Sequence, residues 1–365
     1  MPEPGAWQAV HLADGEIPAA YRAYTGRKIS WCIGGILLLI LLLVVSISVG
    51  ACRIPVDDVV RALVGFETLP KWRVIVWNIR LPQALTAVVA GAGLAVSGAA
   101  MQSILRNPLG SPFTLGISHA AAFGAAFSVI VLGTGTMHST GADAVVLDNP
   151  YITTIIAFLF CMIATGIILL IANIRGASPE VMVLAGVAIG SLFTAGTMFL
   201  QYFADDVQLA AVVFWTFGDV GRADWSELGL LSVVTLAAII YFTCHRWNYN
   251  AIDAGDETAK GLGVRVERVR LFGMLAASLV TAVTIAFLGI IGFVGLVCPH
   301  MVRRVIGDDH RFLIPGSCIA GGVLLLASDT AARLMLAPHI LPVAILTAFL
   351  GAPVFIWLLL RGYRR

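Results

Sequence analysis

Nine stretches of this sequence contain no charged residue, and each is about as long as a helix must be to cross a lipid bilayer. They are residues 29–52, 81–105, 107–142, 149–174, 181–204, 228–245, 271–302, 312–328 and 334–360. The hydrocarbon core of a bilayer is about 30 Å thick, so a spanning helix needs roughly 20 apolar residues. A further run, 207–218, is too short to span, and we interpret it as a broken or re-entrant helix at one membrane surface. The pattern predicts an all-α integral membrane protein.

The composition agrees with a membrane-embedded chain. Of 365 residues, 59% are apolar and 12% are charged, whereas soluble domains are about 45–50% apolar and about 25% charged. The net charge of +2 is too small to indicate a nucleic-acid partner. Lys28, Lys71 and Lys260 are the only lysines and none follows a glycine, so no Gly-Lys-Ser/Thr phosphate loop exists. These values exclude a soluble enzyme and ATP hydrolysis by that route.

One run is too long to be a single crossing. As one helix, the 32 residues of 271–302 would measure about 48 Å at 1.5 Å per residue. Gly289, Gly292 and Gly295 cluster inside this run, and Pro299 follows them. A break near Gly289 to Gly292 would give one full helix and one short helix that returns to the starting side. The number of spans then becomes ten.

Lysine and arginine positions distinguish nine spans from ten, because cytoplasmic loops of membrane proteins are enriched in both residues. With a cytoplasmic amino terminus and ten spans, 16 of the 23 lysines and arginines lie inside. With nine spans, 11 lie inside and 12 outside, and the bias disappears. We therefore expect ten spans with both termini in the cytoplasm. Residues 1–28 would form a cytoplasmic segment, and residues 29–361 a single transmembrane domain in the cell (inner) membrane.

Charged groups inside the spans are almost absent. Asp329 and Arg333 stand four residues apart, which places them on one helix face and predicts an ion pair. That pair either neutralises itself near the outer end of a span or presents Arg333 to an outside partner. The rest of a translocation path would be lined by small, apolar and hydroxyl groups, which suits a bulky cargo better than a bare ion. The single cysteines and scattered histidines indicate no metal cluster, and we predict no cofactor.

One cytoplasmic loop, residues 248–267, stands out by its charges and glycines. Its central residues, 256–260, could form one short helical turn with acidic residues at the positive amino-terminal end. Gly261 or Gly263 would end that turn. The loop is either a solvated connection between two spans or a docking element for a cytoplasmic partner.

Several motifs occur together in an order that matches one protein family. They are RLP at 80–82, RNPLGSP at 106–112, LAGVA at 184–188, FWTFG at 214–218, GDETAKGLG at 255–263, GFVGLVCPH at 292–300, ASDTAAR at 327–333 and LGAPVFIW at 350–357. The chain from about residue 80 to 360 resembles the permease subunit of type II ABC importers, which carry iron-siderophores, haem and vitamin B12. The resemblance implies a homodimer with a second copy of the chain, two cytoplasmic ABC ATPase subunits, and a periplasmic or lipid-anchored substrate-binding protein.

The resemblance also implies roles for inner-face residues. The element that couples to the ATPase corresponds to Gly255, Asp256, Glu257, Thr258, Ala259, Lys260, Gly261, Leu262 and Gly263. A narrow cytoplasmic gate falls at Ala177, Ser178 and Pro179, although Pro179 departs from the hydroxyl residues that are common there. The path-lining span corresponds to residues 181–203, and the short run 207–218 covers its outer end.

At the outer face the resemblance implies docking of the binding protein. Arg80 and Arg333 match arginines that pair with its carboxylates, while Gln83 stands where a second arginine is frequent. Trp215 and Asp219 fall near the outer opening of the path, and Asp219 replaces a frequent glycine.

Two other classes of function remain as alternatives to the importer. A secondary transporter driven by an ion gradient would need intramembrane carboxylates and inverted repeats, of which only Asp329 is present. A membrane enzyme would need nucleophiles, bases or metal ligands clustered at one depth. Within the importer family, a ferric siderophore or haem is the expected cargo and cobalamin the next.

Overall fold

The computed structural model describes residues 19–50, 52–66, 68–137, 145–147, 150–336, 339 and 341–360. Seven helices of this part are long and apolar enough to cross a membrane: Tyr21–Ser48, Pro70–Ile104, Tyr151–Ile174, Pro179–Tyr202, Trp225–Cys244, Val266–Leu288 and His310–Met335. Three further apolar helices are shorter: Ile117–Val131, Asp206–Thr216 and Val343–Trp357. The chain is a multi-pass helical membrane protein.

Fifteen α-helices follow one another along the described part of the chain. They are α1 Ala19–Ser48, α2 Val56–Val64, α3 Pro70–Ile75, α4 Leu81–Ile104, α5 Ile117–Ala126, α6 Pro150–Ile174, α7 Pro179–Tyr202, α8 Asp206–Thr216, α9 Trp225–Cys244, α10 Arg246–Asp253, α11 Asp256–Gly261, α12 Val266–Leu288, α13 Val294–Ile306, α14 His310–Met335 and α15 Val343–Leu360. Short π-helical segments at Val76–Arg80 and Phe127–Val131 join α3 to α4 and extend α5. Single 3-10 turns occupy Phe113–Leu115 and Val220–Arg222.

The structure differs from the predicted spans in two places. Helix α1 begins at Ala19, so the helix includes ten residues that were predicted to lie in the amino-terminal segment; residues 1–18 of that segment lie outside the described residues. Within the described part of the run 107–142, the apolar helix covers Ile117–Val131 and is preceded by the 3-10 turn Phe113–Leu115. Two antiparallel strands follow it, β1 Gly135–Met137 and β2 Val145–Leu147. Absence of charge allowed a helix there but did not require one.

Helix α4 lies at the centre of the molecule and packs against α9, α12, α13 and α14. Its small residues make this possible, because a Cβ atom on Gly91 would clash with the backbone of Gly321 in α14. A Cβ on Gly98 would clash with the backbone of Gly295 in α13. Such close approach of helix backbones replaces the hydrophobic driving force that is missing between helices in lipid.

The predicted break in the run 271–302 is confirmed. Helix α12 ends at Leu288, and α13 begins at Val294 and has 13 residues. Gly289 has a φ of 78°, in the left-handed region that favours glycine. At 1.5 Å per residue α13 is about 20 Å long, shorter than the hydrocarbon core.

Candidate functional site

The predicted coupling loop folds as two short helices, α10 and α11, that lie outside the long apolar helices. Gly255, with a φ of 118°, turns the chain between them. The predicted helical turn at 256–260 is confirmed as α11, which ends at Gly261. Ala259 lies on the inward side of α11 and is fully buried. The opposite side carries exposed residues: Glu257, Thr258, Lys260 and Leu262.

One acidic residue of α11 faces inward. The Asp256 carboxylate accepts two hydrogen bonds from the Arg270 guanidinium in α12, at 2.9 and 2.8 Å. Only 3% of the Arg270 side chain is exposed, and its Nε donates to the Ile104 carbonyl oxygen, which ends α4, at 3.1 Å. Arg106 approaches Asp256 to 3.6 Å from the other side. Bidentate pairing of this kind fixes orientation as well as distance, so α11 is held to both α4 and α12.

A second polar cluster holds α10 to the helices beneath it. Asn250 Oδ1 accepts from the His310 backbone N–H at 2.9 Å and lies 2.8 Å from His310 Nδ1. Ser103 Oγ of α4 donates to Asp253 at 3.2 Å and lies 3.1 Å from His310 Nε2. Arg303 of α13 approaches the Asp253 carboxylate to 3.6 Å. Displacement of α10 would therefore disturb its contacts with α4, α13 and α14.

The carboxyl groups of this region have shifted pKa values. Burial raises the pKa of Asp253, against the lowering effect of the Arg303 charge. Desolvation also raises the pKa of Asp309, but hydrogen bonds from Arg311 and Asn250 outweigh it and lower this pKa to about 2. Asp309 is thus ionised throughout the neutral range, where it accepts from Arg311 Nε at 2.8 Å.

The residues of the predicted gate form the amino-terminal cap of α7. Ala177 has a left-handed φ of 53°. The Ser178 hydroxyl oxygen accepts from the Val181 N–H at 3.4 Å and its hydroxyl donates to Glu180 at 2.5 Å. Pro179 occupies the first turn, where a missing N–H costs no helical hydrogen bond. The proline that departs from the family pattern thus fits a helix start.

The two predicted docking arginines lie together at the carboxyl end of α1. Arg80, which is 6% exposed, donates to the Ile47 and Ser48 carbonyl oxygens at 2.6 and 3.1 Å, and also to the Cys52 carbonyl. The predicted ion pair of Arg333 with Asp329 is confirmed, at 3.0 Å.

The Asp329 carboxylate has a second partner, Gln83, whose Nε2 donates to it at 3.0 Å. Arg333 Nη2 also donates to Ser46 Oγ in α1 at 2.6 Å. Only 9% of the Arg333 side chain and 3% of the Asp329 side chain are exposed. Gln83, which stands where the resemblance leads one to expect a second arginine, therefore hydrogen-bonds to this buried ion pair.

The residues predicted at the outer opening of the path make hydrogen bonds that hold neighbouring segments together. Trp215 is 6% exposed, and its carbonyl accepts from Arg222 Nη1 at 3.0 Å. The Asp219 carboxylate accepts from the Gly221 N–H at 2.8 Å and so caps a 3-10 turn. The Asp219 N–H donates to the Leu288 carbonyl at the end of α12. The break after α12 is thereby tied to the segment that follows α8.

Helix α7, predicted to line the path, has little covering in the single chain. Only 17% of its most apolar 18-residue stretch is buried inside the chain. Its exposed side chains are mostly apolar or aromatic: Leu184, Val187, Leu192, Met198, Phe199 and Tyr202. Among the described residues, no group of three or more His, Cys, Asp or Glu side chains could hold a metal ion.

Sequence reasoning missed the inner partners of the coupling loop. Arg270 follows a run of charges at the start of α12 and looks like one more cytoplasmic arginine. Ser103 and Asn250 carry no signal in a single sequence. Asp309 and His310 both pair with Asn250, which lies 59 and 60 residues away in the chain.

Comparison with known sequences finds relatives that are each named as a permease protein. A provisionally named ABC transporter permease of Methanocaldococcus jannaschii is 56% identical over 353 residues, 96% of this chain and 99% of that protein. The hemin transport system permease protein HmuU of Yersinia pestis is 37% identical over 326 residues, 89% and 94% of the two chains. The vitamin B12 import system permease protein BtuC of Salmonella typhi is 33% identical over 338 residues, 93% and 97%.

The fold agrees with these relatives. A solved structure described as an inward-facing conformation of a provisionally assigned metal-chelate type ABC transporter superposes with a TM-score of 0.77 at 29% identity. The match covers 92% of this chain and all of that one. The family model of the FecCD transport family matches residues 38–361. This chain belongs to the FecCD transport family.

Proposed function

We propose that this chain is the transmembrane permease subunit of an ATP-binding-cassette importer that moves a bulky metal chelate into the cytoplasm. The observation that carries the proposal is the geometry of α11, which holds Asp256 inward on Arg270 and exposes Glu257, Lys260 and Leu262. A short helix fixed to the transmembrane core on one side and open on the other suits docking of a separate protein. The chain has no phosphate loop, so a partner subunit would hydrolyse the ATP.

The coupling path runs through polar contacts on the inner side. An ATPase that displaces α11 would pull on Arg270 and hence on the carboxyl end of α4. The same displacement would reach Ser103, Arg303 and His310 through α10. Packed helices respond to such displacements by shifting as rigid units. We propose two ATPase subunits, one for each copy of the permease.

The proposed membrane arrangement has ten crossings with both termini in the cytoplasm. The crossing helices would be α1, α4, α5, α6, α7, α9, α12, α13, α14 and α15. A second copy would pair across the poorly covered face of α7, which supports a path on the two-fold axis between the copies. The gate would lie at Ala177, Ser178 and Pro179, and the outer opening near Trp215 and Asp219.

On the outer face, carboxylates of a binding protein would meet Arg80 and Arg333. Both guanidinium groups lie against the carboxyl end of α1, so docking at these arginines would require that end to move. Arg333 already has Asp329 as its counter-ion. Arg80 donates only to carbonyls and the Cys52 sulfur among the described residues, and is therefore the better match for an incoming carboxylate.

The cargo is proposed as an iron chelate, either a ferric siderophore or haem, or as cobalamin. The relatives named for hemin and vitamin B12, and the metal-chelate structure, support this range. The apolar surface of α7 suits a large ligand that is conducted without tight binding. The ion-gradient alternative is weaker, because its candidate carboxylate, Asp329, is bound to Arg333 and Gln83.

Reconstitution tests the proposal. The full chain, with its companion ATPase and binding protein, is placed in vesicles and supplied with haem, cobalamin or a ferric siderophore. We expect uptake of one of these that requires ATP and is lost when residues 256–263 are deleted. Uptake that persists without ATP and is abolished by an ionophore would contradict the proposal and favour a secondary transporter.

A further inference from the structure

A cavity of about 400 Å³ lies between α9 and α12 at the end of the helices that carries the coupling loop. We name it the α9–α12 pocket. It is lined by Tyr241, His245, Asn248, Leu262, Gly263, Val264, Arg265, Arg268, Val269 and Phe272. The lining therefore contains two arginines and a histidine and no acidic side chain. A space of this size accommodates a phosphodiester headgroup.

The two arginines of the pocket have no counter-ion in the part of the chain that the structure describes. Within the described residues, neither Arg265 nor Arg268 makes an ion pair or a side-chain hydrogen bond, and both are exposed. Glu267 lies between them in sequence but does not line the cavity. By contrast Arg270, two residues beyond Arg268 in α12, is bound by Asp256 and by the Ile104 carbonyl. The pocket thus offers two unused positive charges to an anion.

Exposed apolar side chains form a stripe on each of the two helices. On α9 the exposed residues are Leu230, Val233, Leu236 and Ile240, and on α12 they are Phe272 and Leu275. Their spacing of three or four residues places each set on one face of its helix. Phe272 lines the pocket, so the α12 stripe begins beside the arginines, whereas the α9 stripe lies on a different face of α9 from Tyr241 and His245.

We infer that the α9–α12 pocket binds the phosphate of an anionic phospholipid, whose acyl chains lie along the apolar stripe of α12. Apolar surface at the depth of the chains and cationic groups at the depth of the headgroup match a lipid on both counts. Basic pockets between helices on the cytoplasmic side are known to hold anionic headgroups. A free phosphate would use the arginines but leave the α12 stripe unexplained.

The site adjoins the coupling loop, because Leu262 and Gly263 belong to both. A bound lipid would therefore contact the end of the element on which the ATPase is proposed to dock. This consequence rests on the proposed function, but the lipid site itself does not. It requires only that the chain lies in a membrane.

Native mass spectrometry of the detergent-purified full chain tests the site without ATPase or cargo. Dioleoylphosphatidylglycerol and dioleoylphosphatidylcholine are titrated separately, and phosphatidylglycerol is titrated again with excess inorganic phosphate. We expect at least about tenfold tighter binding of phosphatidylglycerol than of phosphatidylcholine, and only slight competition by phosphate. Equal affinity for the two lipids would overturn the inference, as would complete displacement by phosphate, which would indicate a free-anion site.

Variants locate the bound lipid. The double change R265Q/R268Q should weaken phosphatidylglycerol binding about tenfold or more, while R265K/R268K retains most of it because the charges remain. Arg175→Gln, an exposed inner-side arginine outside the pocket, is the matched control and should bind like the unmodified chain. Unchanged binding by R265Q/R268Q would place the lipid elsewhere and overturn the assignment. The comparison of the two lipids on the unmodified chain stands even if a variant fails to fold.

Discussion

The two ends of the molecule each bury an arginine against the carboxyl end of a helix, but they differ in how its charge is satisfied. Arg270 donates to the last carbonyl of α4 and is also paired with Asp256. Arg80 donates to the carbonyls that end α1 and has no carboxylate partner among the described residues. Arg270 therefore links two elements of the same chain, whereas Arg80 keeps a charge that a carboxylate of another protein could satisfy.

Removing the Arg270 side chain should have the largest effect on stability and on uptake. Arg270→Met leaves the Asp256 carboxylate and the Ile104 carbonyl without their donor. We expect the free energy of unfolding to fall by about 2–3 kcal/mol, and ATP-driven uptake to be lost because α11 is no longer held to α4. Stability is measured by thermal unfolding in detergent and uptake in vesicles.

A paired variant controls for the charge left behind. Asp256→Asn combined with Arg270→Met should recover part of the stability but not the uptake, because groups in contact are not additive. Normal uptake by Arg270→Met would show that coupling does not pass through this contact.

The outer arginine should matter less for stability and more for docking. Arg80→Met removes hydrogen bonds to three carbonyls near the end of α1, and we expect a loss of about 1–2 kcal/mol. Affinity for the binding protein should fall about tenfold, since a cationic contact is lost. Surface plasmon resonance on nanodisc-embedded permease measures this, and Arg80→Lys, which keeps the charge, should lose less. An unchanged affinity would remove Arg80 from the docking surface.

Substitutions on the exposed side of α11 should change stability little but weaken binding of the ATPase. The double change E257Q/K260Q removes an exposed pair 3.4 Å apart, so we expect unfolding free energy to change by less than about 0.5 kcal/mol. ATPase binding should nevertheless weaken by about three- to tenfold, because contacts at the docking side are altered. Arg175→Gln serves again as the control. Equal ATPase binding by both variants would mean that α11 does not carry the interface.

The last expected effect on stability appears only in acid. The pKa of Asp309 is lowered to about 2 in the folded chain, whereas an unfolded aspartate titrates near 4. Its contribution to stability is therefore complete above about pH 4 and is lost as the pH falls towards 2. Asp309→Asn should flatten the fall of melting temperature over that range. An identical pH profile in both proteins would show that the Arg311 and Asn250 contacts contribute nothing.

Local features of the fold could be predicted from the sequence. The break after Leu288, the short helix α11 and the Asp329–Arg333 pair each follow from residues close together in the chain. Run lengths were less informative, since the run 107–142 contains strand β1 as well as a helix, and β1 pairs with β2 beyond the run. Absence of charge reports the environment of a segment and not its conformation.

Contacts between distant segments could not be predicted. Arg270 and Ile104 are 166 residues apart, and Ser103 and His310 are 207 apart. No periodicity connects such positions, and each residue looks ordinary in its own segment. The burial of Arg80 was missed for the same reason, because an arginine before an apolar run reads as an exposed flank.

The central claim is that α11 lies on the inner side and is covered by an ATPase. Lys260→Cys, in a chain whose exposed Cys52 and Cys244 are replaced by serine, can be labelled with a membrane-impermeant thiol reagent. The account predicts labelling in inside-out vesicles stripped of the ATPase, protection when the ATPase is restored, and no labelling of intact cells. Labelling of Cys at position 260 from outside intact cells would contradict it.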